Sequence, residues 1–388
     1  MAPVEATCFC NNRGGVGKTF WAFQVACEAA CARPGKKVLV LDFSIYSHLS
    51  ALLAGGTAQA SPLSPMNGTV SLMNCTTPGT RIEGLMRRLD KPAEKRLFGL
   101  LGAQPAEVID LQEYAVRVSD TNQAIPPNLY LVPSVGMTSW SKLNDLEKPV
   151  WCKKGEEWVS IAQKLRHAID ALPAEFETVF FDTDHLASSV FTKVALAVCD
   201  AVAVPCPTDT ADFQRLYSAG DATQFEGTES LLTDVMLPML KKSQLRARIQ
   251  TMFFAQAASQ KNAPTTTPAG IGLPFHPTKT MTTQMDSLVS IAWAACEQYP
   301  RYRDLFRDYY SGAPLTFETF AAKYFTACKI VPDVSKNLTA SNGIPLCLMT
   351  PEAYILPNGL PCVSSLDVVS ATKAEVVSLT AHIRGPCR

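Results

Sequence analysis

Residues 11–19 read NNRGGVGKT. They follow the apolar run VEATCFC (4–10) and precede FWAFQVACEAACA (20–32), so a buried strand leads through a glycine-rich turn into a helix. That order lets consecutive backbone N–H groups face a phosphate while the helix N-terminus adds its dipole. Lys18 is then placed to neutralise β- and γ-phosphates, and Thr19 to offer its hydroxyl to Mg²⁺. The usual spacing GxxxxGK[ST] asks for glycine at position 12; this chain has Asn12, and a cation, Arg13, stands directly before Gly14.

Short apolar runs separated by helical stretches recur along the chain: KKVLVLDF (36–43), EEWVSIAQKLRHAIDAL (156–172), TVFFDTD (178–184) and VFTKVALAVCDAVAVPCPTD (190–209). In the second of these, Trp158, Ile161, Leu165, Ile169 and Leu172 form one stripe at helical period. β-branched runs alternating with such helices predict an α/β fold, a mostly parallel twisted sheet with helices on both faces. The pattern weakens over residues 51–125, which read as an insertion that starts as loop (GGTAQASPLSPMNG) and continues as the charged helical stretch RIEGLMRRLDKPAEKRLFGLL. Residues 1–330 are expected to form the main domain. Residues 331–388 form a C-terminal extension, read as short extended pieces followed by a helix over 371–383.

Composition narrows the function classes. The chain has 388 residues, 47% of them hydrophobic, and its 35 Lys plus Arg balance 35 Asp plus Glu. Any pull on nucleic acid or a membrane surface must therefore come from a local patch. No signal-like start and no apolar run approaching the roughly 20 residues of a membrane span are present, so a cytoplasmic chain is expected. Thirteen cysteines with irregular spacing and no CxxC argue against a disulfide framework. Cys8 and Cys10 on one strand face, and Cys27 and Cys31 on one helix face, read as core packing rather than metal ligands. Between Asp234 and Asp286 no acidic residue occurs, whereas Lys241, Lys242, Arg246, Arg248, Lys261 and Lys279 are cationic. Such a stretch suits non-specific contact with DNA phosphates.

The stretch RGGVGKTFWAFQVACEAACARPGKKVLVLDF (13–43) resembles the ParA/MinD family of deviant P-loop ATPases, which carry a signature lysine at the position of Arg13, then GGVGKT, a helix, and a strand ending in aspartate. TVFFDTDHLASSVFTKVALAVCDAVAVPCPTDTADFQRL (178–216) is similar to the family's Walker B region, and PPNLYLVPS (126–134) to the strand before it. More loosely, IGLPFHPTK (271–279) and YYSGAPLTFETFAAKYFTAC (309–328) resemble its last strand-and-loop and final helix.

The resemblance implies a homodimer formed on ATP binding, with Asn12, Gly14, Gly15, Val16, Gly17, Lys18, Thr19 and Phe20 around the nucleotide. It implies Mg²⁺ held through Thr19, Asp42 and Asp182, and Arg13 reaching the partner's nucleotide as a finger in trans. The catalytic set is Arg13, Lys18, Asp42 and Ser44. The family's second strand ends in an Asp-x-Asp pair, but here Asp42 is followed by Ser44, so slow hydrolysis is expected unless Asp184 substitutes. Partition of DNA or positioning of cargo at the nucleoid, with a partner protein stimulating hydrolysis, is the implied role. A nucleotide-bound scaffold, a metabolic P-loop ligase and a MinD-like membrane-associated ATPase are the alternatives. The tail carries Glu375 and no large aromatic on its apolar face, so it is expected to pack on the domain rather than on a membrane.

Overall fold

The computed structural model describes residues 3–44, 46–59, 64–90, 109–134, 157–185, 189–217, 229–260, 264–356, 359 and 361–384. Lys261, and Lys91, Lys95 and Arg96 of the charged stretch, lie outside the described residues.

Eight strands form one sheet: β1 (Glu5–Phe9), β2 (Lys37–Phe43), β3 (Val116–Arg117), β4 (Leu129–Val132), β5 (Phe176–Thr183), β6 (Ala201–Cys206), β7 (Arg248–Ala257) and β8 (Phe325–Lys329). Their order is β3-β4-β2-β5-β1-β6-β7-β8, and every pair except β3–β4 is parallel. Alternation along the strands explains why helices cover both faces. Ala6, Cys8 and Cys10 point into one core with Leu39, Leu41 and Phe43, while Phe9 points into the other with Val38 and Val40.

Among the described residues, twelve helices with α geometry accompany the strands: α1 (Lys18–Ala32), α2 (His48–Leu53), α3 (Asn67–Cys75), α4 (Ile82–Asp90), α5 (Glu157–Asp170), α6 (Val190–Val198), α7 (Thr210–Gln214), α8 (Leu237–Lys241), α9 (Lys279–Gln298), α10 (Phe317–Tyr324), α11 (Asp333–Asn342) and α12 (Leu366–Arg384). All five residues of the stripe read from the sequence at 158–172 are buried. Among the described residues, no helix is long and apolar enough to cross a membrane.

Two readings of the C-terminal third change. The segment 309–328, read as a final helix, divides into α10 and the strand β8, which pairs with β7 from Met252↔Phe325 to Ala257↔Lys329. Helix gives way to strand with no intervening loop, so the sequence carries no turn signal there. The tail read as extended pieces contains α11, the hairpin β9 (Ala353–Ile355) and β10 (Pro361–Val363), and α12. Val369, Val376, Leu379 and Ile383 of α12 enter the same core as Phe9 and Trp21. The buried side chain of Gln24 on α1 donates to Thr339 Oγ1 (3.3 Å) and accepts from the Leu346 N–H (2.8 Å). The apolar stripe of the tail is thus occupied by packing.

Glu375 gives this packing a pH dependence. Its side chain is buried and accepts from the Lys329 N–H at 2.7 Å. Burial raises its pKa to about 7, against the pull of that N–H and of the Lys329 charge. A carboxyl whose folded-state pKa is raised contributes stability that is complete below its unfolded value and lost as pH climbs through about 7. Glu375→Gln is therefore expected to flatten the loss of stability between pH 5 and 8, with a gain of up to about 3 kcal/mol at pH 8. Denaturant titrations across that range check it, and parallel pH curves for the two proteins would refute it.

Candidate functional site

The loop between β1 and α1 is shaped by its own side chains. Asn11, buried, donates to Pro205 O (2.7 Å) and accepts from the Arg13 N–H (2.8 Å). Asn12 donates to the carbonyls of Arg215 (3.0 Å) and Glu229 (3.1 Å). Gly15 and Gly17 have φ of 75° and 88°, the left-handed region that side chains with a Cβ rarely enter. At Gly17 a Cβ would also stand 3.2 Å from the Trp21 ring. Gly17 sits at the N-cap of α1 and no acidic residue occupies the first turn, so the helix presents its positive end uncompensated. Val16 is buried and anchors the loop, while Gly14 and Gly15 are exposed. Phe20 packs edge-on against Trp21. Lys18 is buried, and its Nζ donates to the Arg13 carbonyl at 2.7 Å. Burial lowers its pKa, opposed by Asp182, Cys10 and Asp184.

Three carboxylates meet below this loop. Asp42 and Asp182 face each other across β2 and β5, and Phe9 of β1 pairs with Asp182 on its other side. Asp42 is fully buried and satisfied: Oδ1 accepts from the Ser44 N–H (3.0 Å), and Oδ2 from the Ser50 N–H (2.8 Å) and hydroxyl (2.6 Å). Burial still pushes it up to about 6. Asp182 is also fully buried, yet neither of its oxygens completes a hydrogen bond. Burial and the neighbouring Asp42 raise its pKa, while the Thr19 hydroxyl and the Lys18 charge pull the other way. Asp184, buried beside them, accepts from the His185 N–H (2.6 Å).

A fully buried carboxylate with two orphaned oxygens is costly unless a cation or donor arrives. The site therefore fits Mg²⁺, with Asp182 holding free lone pairs, Thr19 beside it and Asp42 fixed behind by Ser50. Among the described residues no group of three His, Cys, Asp or Glu side chains is arranged to hold a metal alone.

No protein-family model matches the chain, and no curated protein matches it. Solved structures do match. An ATP complex of McdA from Cyanothece is 11% identical, with a TM-score of 0.52, covering 100% of this chain and 99% of that one. The apo form of Cyanothece McdA is 12% identical with a TM-score of 0.51, covering 98% and 100%. The pNOB8 ParA structure is 11% identical with a TM-score of 0.53, covering 98% of each. The chain shares the fold of these McdA and ParA structures.

Arg13 is paired within its own chain in this structure. Its guanidinium pairs with Asp212 of the same chain at 2.9 Å, in α7 just beyond β6, and Arg215 approaches the other oxygen of Asp212 at 3.7 Å. Neither Asp212 nor Ser50 was marked by the sequence. Asp212 looks only like a helix-start residue beside the N-cap Asp209, and Ser50 lies in an ordinary helical stretch.

The basic residues separate into two places. Lys241, Lys242, Arg246 and Arg248 sit where the chain enters β7, whereas Lys279 follows its far end, next to Ala258. A ten-residue strand puts about 30 Å between them. Arg246 is engaged by Asp200 through Nε (2.9 Å) and a terminal nitrogen (2.6 Å). Arg248 donates to the carbonyls of Leu245, Arg246 and Ala247, each at 3.1 Å. Lys241, Lys242 and Lys279 are exposed.

Proposed function

We propose that this chain is an ATP-dependent dimerisation switch of the ParA type that hydrolyses ATP slowly and positions DNA or another cargo through non-specific contact with DNA. The orphaned, fully buried Asp182 beneath a loop with two left-handed glycines carries this reading, because such a carboxylate fits the cation that accompanies a triphosphate.

The residues divide the work. Backbone N–H groups from Gly14 to Thr19 and the bare positive end of α1 would hold phosphate oxygens. Lys18 would leave the Arg13 carbonyl for the β- and γ-phosphates, which satisfy its ammonium better. Thr19, Asp182 and Asp42 would hold Mg²⁺, which when bound neutralises phosphate charge. Arg13 would leave Asp212 and reach the nucleotide of a second copy, where its planar fork matches phosphate geometry. DNA contact would fall mainly to Lys241 and Lys242, with Lys279 on a separate surface.

Oligomeric state measured with and without ATP·Mg²⁺, together with DNA binding at two salt concentrations, tests this. Dimers that need ATP and hold DNA only at low salt are expected. Oligomers indifferent to nucleotide, with no DNA affinity, would overturn it.

A second reading, a nucleotide-bound scaffold with little turnover, is favoured by Ser44. It is buried with its N–H given to Asp42, and its hydroxyl is a poor proton acceptor at neutral pH. Ser44→Asp is expected to raise ATP turnover by about 10²-fold if a proton acceptor is what the site lacks. Unchanged turnover in a variant that still binds nucleotide would count against that account of slow hydrolysis.

A further inference from the structure

We propose that Cys31 and Cys347 form a reversible thiol–disulfide site that fastens the C-terminal segment to the helix that begins at the phosphate loop. Their sulfurs lie 3.9 Å apart although the residues are 316 positions apart in sequence. Cys31 closes the last turn of α1, and Cys347 sits in a short 3-10 turn (Leu346–Leu348) packed against that helix. The bond itself, about 2.05 Å, requires the sulfurs to close by roughly 2 Å from their present 3.9 Å.

Accessibility separates this pair from the buried cysteines, and the exposed Cys75 stands apart at the end of α3. Both thiols are half-buried, whereas eight of the described cysteines are buried, including Cys8, which also approaches Cys199 inside the sheet core. The surroundings divide the roles. A hydrogen bond from the Cys347 thiol lowers the Cys31 pKa, and the Lys373 charge helps, against burial and the Glu28 carboxylate. The same bond and burial raise Cys347. A thiolate-prone, reachable cysteine beside a resolving thiol is the arrangement of a redox-sensitive site.

The chemistry balances with a low-molecular-weight disulfide as oxidant. The Cys31 thiolate attacks one sulfur of that disulfide, forming a mixed disulfide and releasing one small thiolate. Cys347 then loses its proton to solvent and attacks the Cys31 sulfur, forming the Cys31–Cys347 bond and releasing the second small thiolate. Two protein thiols are oxidised and one small disulfide is reduced. Because α1 carries Cys31 roughly 20 Å from the phosphate loop, the bond acts on how the C-terminal segment is anchored rather than on the phosphate contacts. This inference does not rest on the proposed ATPase activity.

The test uses the full-length reduced protein equilibrated with mixtures of reduced and oxidised glutathione, followed by peptide mass mapping under non-reducing conditions and thermal melting. A single Cys31–Cys347 link is expected at ratios that leave the buried cysteines as thiols. It should raise the melting temperature, and dithiothreitol should reverse both effects. Cys347→Ser should stop at a glutathione adduct on Cys31, and Cys31→Ser should give neither link nor adduct at the pair. A wild-type chain that keeps the Cys31 adduct without closing the link, or that links other cysteines first while still folded, would overturn the proposal. So would an oxidation-dependent melting shift of equal size in the two serine variants.

Discussion

Asp182→Asn is expected to make the nucleotide-free chain more stable, by about 2 kcal/mol, while abolishing its Mg²⁺-dependent hold on nucleotide. The wild-type side chain is fully buried, lies beside Asp42 and completes no hydrogen bond. Burial and the Asp42 charge make its ionised form costly, and the Thr19 hydroxyl and the Lys18 charge offset only part of that cost. An amide of the same shape removes the repulsion from Asp42 but cannot coordinate a hard cation. Thermal melts of the free protein should rise by roughly 2–4 °C, and nucleotide titrations should lose their Mg²⁺ dependence. Opposite signs for stability and binding are what a strained functional site produces. A variant that melts below the wild type would show that the carboxylate is already satisfied in the free chain, and the main support for a cation site would be gone.

Arg13→Ala is expected to lower ATP turnover by about 10³-fold, the scale of an arginine that stabilises phosphoryl transfer, while nucleotide affinity changes only a few-fold. Asp212→Asn should move turnover the other way. In the free chain the Arg13–Asp212 pair holds the guanidinium on its own α7, partly exposed. Such a pair is worth up to about 1 kcal/mol, so freeing Arg13 should favour the ATP-bound dimer by about two- to five-fold. Steady-state hydrolysis and sedimentation with ATP·Mg²⁺ measure both variants. If Arg13→Ala hydrolyses ATP as fast as the parent, Arg13 is a strut of its own subunit and the finger role is lost.

The loop at 11–19 was legible in sequence because strand, turn, glycines and Lys18 are all local, and Asp42 and Asp182 were legible because each closes a buried strand. Asp212 was not, since β6 and α7 carry it to Arg13 from 199 positions away without changing its local pattern. The acid-free stretch from 235 to 285 illustrates the reverse failure. Read along the chain it is one cationic field, but β7 runs through its middle and sends Lys279 to the other end of the sheet. Strand β8 was hidden because Tyr324 ends a helix and Phe325 begins a strand with no breaker between them.

Gln24 joins the two ends of the polypeptide in a way that matters for handling it. Less than two turns beyond Lys18, its buried amide is gripped by residues 339 and 346. Helix α1 is thus wedged between the sheet and the last fifty residues, which act as its outer wall. A fragment trimmed to the segments that resemble the family most closely would strip that wall away, baring an amide and an apolar flank directly behind the glycine-rich loop.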